Sequence, residues 1–380
     1  MRGVDAALVT VSQTNRPIAK IAIPIEHTKH MMWLTDLSIE ALKNWNTPNI
    51  QIQVITQDRP FSLSRLMKSI NSSIYFNDDV HLTINLDRGA DPITVKNSQI
   101  FNWPFGKKSI RYRIQQGGLI NAVVESYNPT TNDDYAIILE DDIEVSPLYY
   151  IWAKYTVLKY RYDTNRNLTG RMLGVSLYNT KLNEIHMSGR RPFNPALVLE
   201  NTEYPNQSPY LSQIPCSWGA LFFPEIWREF KYYLAARLTD LSGPQLQNIT
   251  VPESRSNRFT KSWKRFFIEL AYLRGYAMLY PNYKDSISFT TNHAEDGVHF
   301  HFKGEKKNTW LLPLMKEDIL SEGLPGGHLP NFEDLPTMDL WGYVVSTSEL
   351  IQRGRELHLN ISSCPPNDLY EFTYDPQDLL

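Results

Sequence analysis

At 380 residues the chain is long enough to bury a large core, as one big domain or two ordinary ones. Apolar residues make up 42% and charged residues 21%, a balance that excludes a disordered chain. A net charge of −3 leaves nothing that calls for nucleic acid or an acidic membrane surface. Aromatics stand at 12%, with 21 Tyr and 9 Trp, which suits a buried core and also the stacking faces of sugar sites. The two cysteines, Cys216 and Cys364, fit one long-range disulfide or two free thiols equally well, and no metal site by their spacing.

Residues 1–48 hold the apolar "IAKIAIPI" and the helical-looking "MMWLTDLSIEALKNW", which we read as an extension packed on the main domain. No window of about 18 apolar residues occurs, so no membrane-spanning helix is expected. "VDAALVTV" near the start is short and carries an Asp, a poor secretory core. N-x-S/T sequons at Asn71, Asn167, Asn206, Asn248 and Asn360 give slight support to a secretory-pathway chain.

From Ile50 strands and helices alternate. "IQIQVIT" predicts a strand, and "SLSRLMKSI" a helix with Leu63, Leu66, Met67 and Ile70 on one face. "VHLTINL" reads as the next strand and "DRGADP" as a turn, followed by the helix "GGLINAVVESY" and the strand "YAIIL". Ser146 and Pro147 suit the N-cap and first position of the helix "LYYIWAKYTVLKYRY". "MLGVSLY" is a strand, residues 183–210 a polar Pro-rich loop, and "CSWGALFF" leads into the helix "PEIWREFKYYLAAR". A third long helix, "WKRFFIELAYLRGY", precedes "AMLYPNY", and beyond about residue 310 Pro and Gly replace periodicity. The alternation predicts an α/β fold with a mostly parallel sheet covered on both faces, residues 49–310, flanked by the 1–48 extension and an irregular 311–380 extension.

Ligands of such sheets sit beyond the carboxyl ends of the strands. The acids Glu140, Asp141 and Asp142 follow "YAIIL" directly and fall at that edge. A calcium-loop register from Glu140 needs Gly at its sixth position and Glu at its twelfth; Val145 and Ile151 stand there and exclude it. A solvated surface turn and a carboxylate holding a divalent ion against a diphosphate both remain, with Glu144 as a partner for the following helix dipole.

"ILEDDIEVSP" resembles the metal-binding strand and turn of N-acetylglucosaminyltransferase I and its relatives, including protein O-mannose N-acetylglucosaminyltransferase, which have the Rossmann-like GT-A fold. "ITQDRPFSLSRLMKSI", "INLDRG", "CSWGALFFPEIW" and "KSWKRFFIELAYLRGYAMLYPNYKDSISF" are similar to further segments of that family, in the same order, over roughly residues 50–305. The resemblance implies a metal-dependent, inverting transferase that takes a UDP-sugar, with GlcNAc as the sugar. It implies Asp142 as the ligand of Mn2+ or Mg2+, and Glu140 and Asp141 on the sugar and ribose side of the donor. Arg59 would then lie near the diphosphate and Asp87 near uracil. Trp218 and Gly219 are expected in the acceptor pocket, with a core Trp as the alternative. The family's general base comes from the late helix, where Glu269 is the acid in place; the family has an aspartate pair there and this chain has "IEL". Glu269 also stands four residues after Arg265, the spacing of a helix ion pair. His293, His299 and His301 in "TNHAEDGVHFH" suit a late metal-ligand histidine less well than a loop closing over the donor.

Rival readings are a GT-A transferase with another donor, a non-catalytic glycan-binding relative, and a phosphohydrolase; the last would need a larger Asp/His set. The acceptor and the oligomeric state stay open. Relatives work in the secretory pathway, in the Golgi lumen, anchored by an N-terminal membrane helix that this sequence does not show.

Overall fold

A computed structural model describes residues 21–163, 169–238, 249–295, 310–317 and 319–361. Single-turn helices and α1 (Ile39–Lys43), capped by Ser38, lead into β1 (Asn49–Thr56) and α2 (Pro60–Asn71). β2 (Leu82–Leu86), α3 (Pro92–Ile100), β3 (Lys108–Tyr112), α4 (Gly118–Val124) and β4 (Asp134–Glu140) continue the alternation. Next come β5 (Ile143–Val145), α5 (Tyr149–Val157), β6 (Met172–Ser176) and a small hairpin of β7 (Leu182–Asn183) and β8 (Arg191–Pro192). α6 (Pro195–Leu199), β9 (Tyr210–Ser212), β10 (Ala220–Phe222), α7 (Pro224–Leu238) and α8 (Trp263–Arg274) follow. β11 (Ala277–Tyr280), β12 (Thr290–Asn292), β13 (Thr337–Met338) and α9 (Thr347–Ile361) complete the described elements.

Nine strands form one sheet in the order β13-β9-β11-β6-β10-β4-β1-β2-β3. β3, β2, β1, β4, β6 and β11 run one way, and β10, β9 and β13 the other. This is the mixed α/β, mostly parallel sheet that the strand-helix alternation predicts. Side chains of successive strand residues leave opposite faces. Tyr135, Ile137 and Leu139 of β4 accordingly join the apolar layer of α2 and α5, while Ala136 and Ile138 join that of α4, α7 and α8. β1 and β11 divide in the same way, with Ile52, Val54 and Leu279 on the first face, and Ile55, Met278 and Tyr280 on the second. The stripe Leu63, Leu66, Met67 and Ile70 of α2 is buried, as is the stripe Trp263, Phe266, Phe267 and Leu270 of α8.

The leading segment docks through Trp33 and Trp45, stacked at 5.7 Å and both buried, against Phe76 and Tyr155. Each such ring contributes on the order of 2–3 kcal/mol by leaving water, which holds a segment of little regular structure in place. The stretch after residue 310, whose composition predicts irregular chain, instead adds β13 to the sheet edge beside β9 and lays α9 on α8. Gly354 allows that contact: a Cβ there would stand 2.5 Å from the carbonyl oxygens of Tyr272 and Leu273. Ser146 and Pro147 are not the N-cap and first residue of α5, which starts at Tyr149 after Leu148; Ser146 Oγ instead accepts from the Leu148 N–H at 3.0 Å in the turn that precedes it. Glu144 is not at a helix start; it lies in β5, which pairs with β12. No helix among the described residues is long and apolar enough to cross a membrane.

Candidate active site

β1, β2 and β4 are adjacent and parallel, so their carboxyl ends open on one edge of the sheet. The register sets Ile55 beside Glu140 and Thr56 beside Leu86. The turn after each strand is tied to its neighbour: Asp141 N–H donates to Ile55 O at 3.1 Å, and Asp87 N–H to Thr56 O at 3.2 Å. Three sequence segments far apart thereby deliver Arg59, Asp87 and the acids 140–142 to the same edge.

Asp141 is fully buried. Its Oδ2 accepts from Thr56 Oγ1 at 2.7 Å, and its Oδ1 lies 2.6 Å from Arg59 Nη2. Arg59 Nη1 is 3.9 Å from Asp142 Oδ2, so one guanidinium serves both aspartates, and it keeps 28% of its side chain open to solvent. Asp142 is held from the other side by β12, where His293 N–H donates to the Asp142 carbonyl at 2.9 Å. The Asn292 side chain hydrogen-bonds the Asp142 carboxylate and favours the charged form, while Oδ1 is buried and makes no hydrogen bond of full geometry. A charged oxygen left so costs several kcal/mol unless a cation or donor meets it.

The electrostatics agree. Burial, with Asp142 adding to it and Arg59 opposing, pushes Glu140 up to about 8. Burial raises Asp141 to about 6 against Arg59 and Thr56, and it raises Asp142 as well. Arg59 opposes the crowding of all three carboxyls, with smaller contributions from Lys264 on Glu140 and Arg65 on Asp142, yet burial still leaves each of the three raised. Among the described residues no group of three His, Cys, Asp or Glu side chains is arranged to hold an ion alone. The donor set is hard oxygen, with the open Asp142 Oδ1 and the nearby Glu140, and fits Mn2+ or Mg2+ completed by phosphate and water.

The other sequence-predicted residues are placed as follows. Asp87 lies on the same edge with its carboxylate occupied: Oδ1 accepts from Arg88 N–H at 2.8 Å and Gly117 N–H at 3.2 Å, and Oδ2 from Gly118 N–H at 3.2 Å. Trp218 packs edge-on against Tyr178 at 4.9 Å and lines a cavity with Glu184, Cys216, Lys264 and Asp339. Gly219 does not line that cavity. Its φ of +92° and a Cβ site 2.7 Å from Thr290 Cγ2 show a close approach to β12, not to an open pocket.

Glu269 is not brought to the acidic edge or to the cavity lining. It is fully buried, with Oε1 accepting from Arg265 Nε at 3.1 Å, and Oε2 from Arg237 Nε and Tyr233 Oη, each at 3.1 Å. The ion pair expected from the four-residue spacing is there, and a second arginine from α7 joins it. With both oxygens filled, neither is open to an acceptor hydroxyl. His293 pairs through Nε2 with Glu144 Oε2 at 2.7 Å and so is not turned toward Asp142. His299, His301 and most of the loop expected to close over the donor lie outside the described residues, as does Cys364.

Sequence reasoning missed the Glu184–Lys264 ion pair in the cavity. Its two residues stand 80 apart in sequence, and a polar loop carries the acid, so no local pattern marks it.

A protein-family model described as the SPBC1E8.03c C-terminal domain matches residues 61–187 and 186–242, under half of the chain. The chain is similar to the uncharacterized protein SPBC1E8.03c of Schizosaccharomyces pombe, 22% identical over 345 residues that cover 88% of this chain and 54% of the relative. It thus spans about half the length of that curated relative. Among solved structures it is similar to the mannosyltransferase PcManGT of Pyrobaculum calidifontis in complex with GDP-Man and Mn2+, at 12% identity, with 68% of this chain and 61% of the other covered and a TM-score of 0.37. GalNAc-T7 with UDP, GalNAc and Mn2+ gives 13% identity, 65% and 44% coverage and a TM-score of 0.39. S. aureus TarS 1-349 with UDP gives 12%, 62% and 58%, and 0.32. At TM-scores below 0.5 these likenesses are too partial to assign residues or chemistry to this chain.

Proposed function

We propose that the chain is a metal-dependent glycosyltransferase of the GT-A type, akin to N-acetylglucosaminyltransferase I, moving a sugar from a UDP-sugar to a hydroxyl acceptor with inversion. The observation that carries the reading is the meeting of Arg59, Glu140, Asp141 and Asp142 at one strand edge, with Asp142 Oδ1 buried and making no hydrogen bond of full geometry. Asp142, with Glu140 beside it, would hold the metal. That ion supplies neutralisation of the charge gathering on the leaving diphosphate.

The chain's own residues do the rest. Arg59, pinned by Asp141 yet partly open, presents its guanidinium where a phosphate would lie. Thr56 and the Ile55 carbonyl fix the Asp141 backbone and side chain, so the turn is set before a donor arrives. Asp87 shapes the neighbouring nucleotide wall through the Gly117–Gly118 loop. Trp218 offers an aromatic face in the adjoining cavity, where a sugar acceptor would stack. The donor sugar is read as GlcNAc from the resemblance, and the secretory pathway as the compartment.

The test is UDP or GDP release from a panel of UDP-GlcNAc, UDP-GalNAc, UDP-glucose, UDP-galactose and GDP-mannose, with Mn2+ and with EDTA. The expected result is Mn2+-dependent release from UDP-GlcNAc above the others. No release from any donor, together with no nucleotide binding, would overturn the proposal.

A further inference from the structure

The cavity behind Trp218 holds two carboxylates, Glu184 and Asp339, and α8 nearby holds a third, Glu269. A proton acceptor needs an oxygen that is ionised, within reach of the substrate and not already bonded. Asp339 fails the last condition. Its Oδ1 accepts from the Trp341 and Tyr343 N–H groups at 2.9 and 3.0 Å, and its Oδ2 from Arg353 at 2.9 Å. Glu269 fails it too, with two guanidiniums and a phenol on its oxygens.

Glu184 differs. It follows β7 in the loop that forms one wall of the cavity, and its Oε1 accepts from Lys264 Nζ. Among the described residues its Oε2 has no hydrogen-bond partner. Burial works against its charge, but Lys264, Arg190 and Arg255 outweigh it and hold the carboxyl below the ordinary glutamate range, so it is ionised at neutral pH.

The cavity also adjoins the acidic edge. Lys264 Nζ lies 5.6 Å from the Trp218 ring and acts electrostatically on Glu140 as well as on Glu184. The Trp218 carbonyl accepts from Thr290 Oγ1 at 2.7 Å, and Thr290 begins the strand whose end bonds to Asp142. Lys264 thus acts on both Glu184 and Glu140, and Trp218 joins the cavity to the strand beside the acids.

We propose that Glu184, held by Lys264 in the Trp218 cavity, is the base that takes the proton of the acceptor hydroxyl. The assignment rests on the transferase reading above. In the step, the acceptor O–H proton passes to Glu184 Oε2 while the acceptor oxygen bonds the anomeric carbon. The electron pair of the broken anomeric C–O bond leaves on the nucleoside diphosphate. Glu184 ends as a neutral acid beside the Lys264 ammonium, and charge is balanced.

Glu184→Gln keeps the shape and removes the base. The probe is UDP-GlcNAc with Mn2+, or whichever donor the wild type hydrolyses, with water and then azide as the attacking group. Azide is already anionic and needs no base. The expected result is unchanged UDP binding by calorimetry, a loss of about 10²–10³-fold in water-driven UDP release, and a loss under about tenfold with azide. Equal losses with water and azide, or an unchanged rate with water, would overturn the assignment. A wild type that neither binds UDP nor releases it from any donor removes the transferase reading, and this assignment with it. If the amide variant does not fold, Glu184→Asp keeps the charge for Lys264 but withdraws the carboxylate. It gives the same contrast at on the order of 10–100-fold.

Discussion

Glu140→Gln is expected to make the metal-free protein more stable at neutral pH, although it removes a charge from a site built of charges. Burial and the Asp142 carboxylate, opposed by Arg59, raise Glu140 to about 8 from an ordinary 4.5. Between those values the folded protein keeps a proton that the unfolded chain has released. Stability from this group is therefore whole below pH 4.5, falls as pH rises, and levels off above pH 8. From 4.5 to pH 7 the loss is about 2.5 pH units at about 1.4 kcal/mol each, on the order of 3 kcal/mol. Partial exposure screens the charge, which brings the expected gain for the glutamine variant to about 1–3 kcal/mol. Thermal unfolding in EDTA at pH 5 and pH 8 reads it directly. The variant's Tm advantage over wild type should be larger at pH 8, by roughly 2–4 °C. The same offset at both pH values, or a variant less stable at pH 8, would refute the crowded-carboxylate argument.

Glu269→Gln leaves the Arg237 and Arg265 guanidiniums with no buried counter-charge, and should cost about 3–5 kcal/mol in urea unfolding; an unchanged midpoint would show that Glu269 is not the hub of that cluster. Gly354→Ala puts a methyl 2.5 Å from two carbonyl oxygens of α8, so α9 must shift, at about 1–3 kcal/mol. Urea unfolding of the full chain reads it, and an unchanged midpoint would show that α9 does not press on α8 at Gly354.

In the parallel half of the sheet, β4 is legible as an apolar run buried on both faces, and β1 and β2 through the alternation of Ile50, Ile52, Val54 and of Leu82, Ile84, Leu86 with polar residues. α2 and α8 are legible through their apolar stripes. β3 is not, since "KSIRY" is an edge strand with most of its side chains in water. α9 does carry a stripe, Leu350, Gly354, Leu357 and Ile361, but the Pro- and Gly-rich chain before it masks the period. In the site, Glu140, Asp141 and Asp142 are contiguous and follow a strand, so position alone singles them out. Glu269 carries a local clue, the Arg265 spacing, while the Arg237 that completes its pairing comes from α7 and shows only in three dimensions. Glu184 is invisible for the same reason: Lys264 and the aromatic wall that give it meaning arrive from other parts of the chain. Gly219, expected in the acceptor pocket, instead approaches Thr290, a neighbour set by the pairing of β12 with β5 that no local pattern shows.

The most direct measurement is calorimetric titration of UDP into wild type and Asp142→Asn, each with Mn2+ and with EDTA. Asparagine keeps the shape of the turn and the Arg59 neighbour, but withdraws the charge that a cation would meet. Wild type is expected to bind UDP with Mn2+ and at least tenfold more weakly in EDTA, a difference of about 1.4 kcal/mol or more. The variant is expected to bind equally weakly in both. An Asp142→Asn protein that keeps the full Mn2+-dependent affinity for UDP would contradict the placement of the metal, and with it the donor site built around these acids.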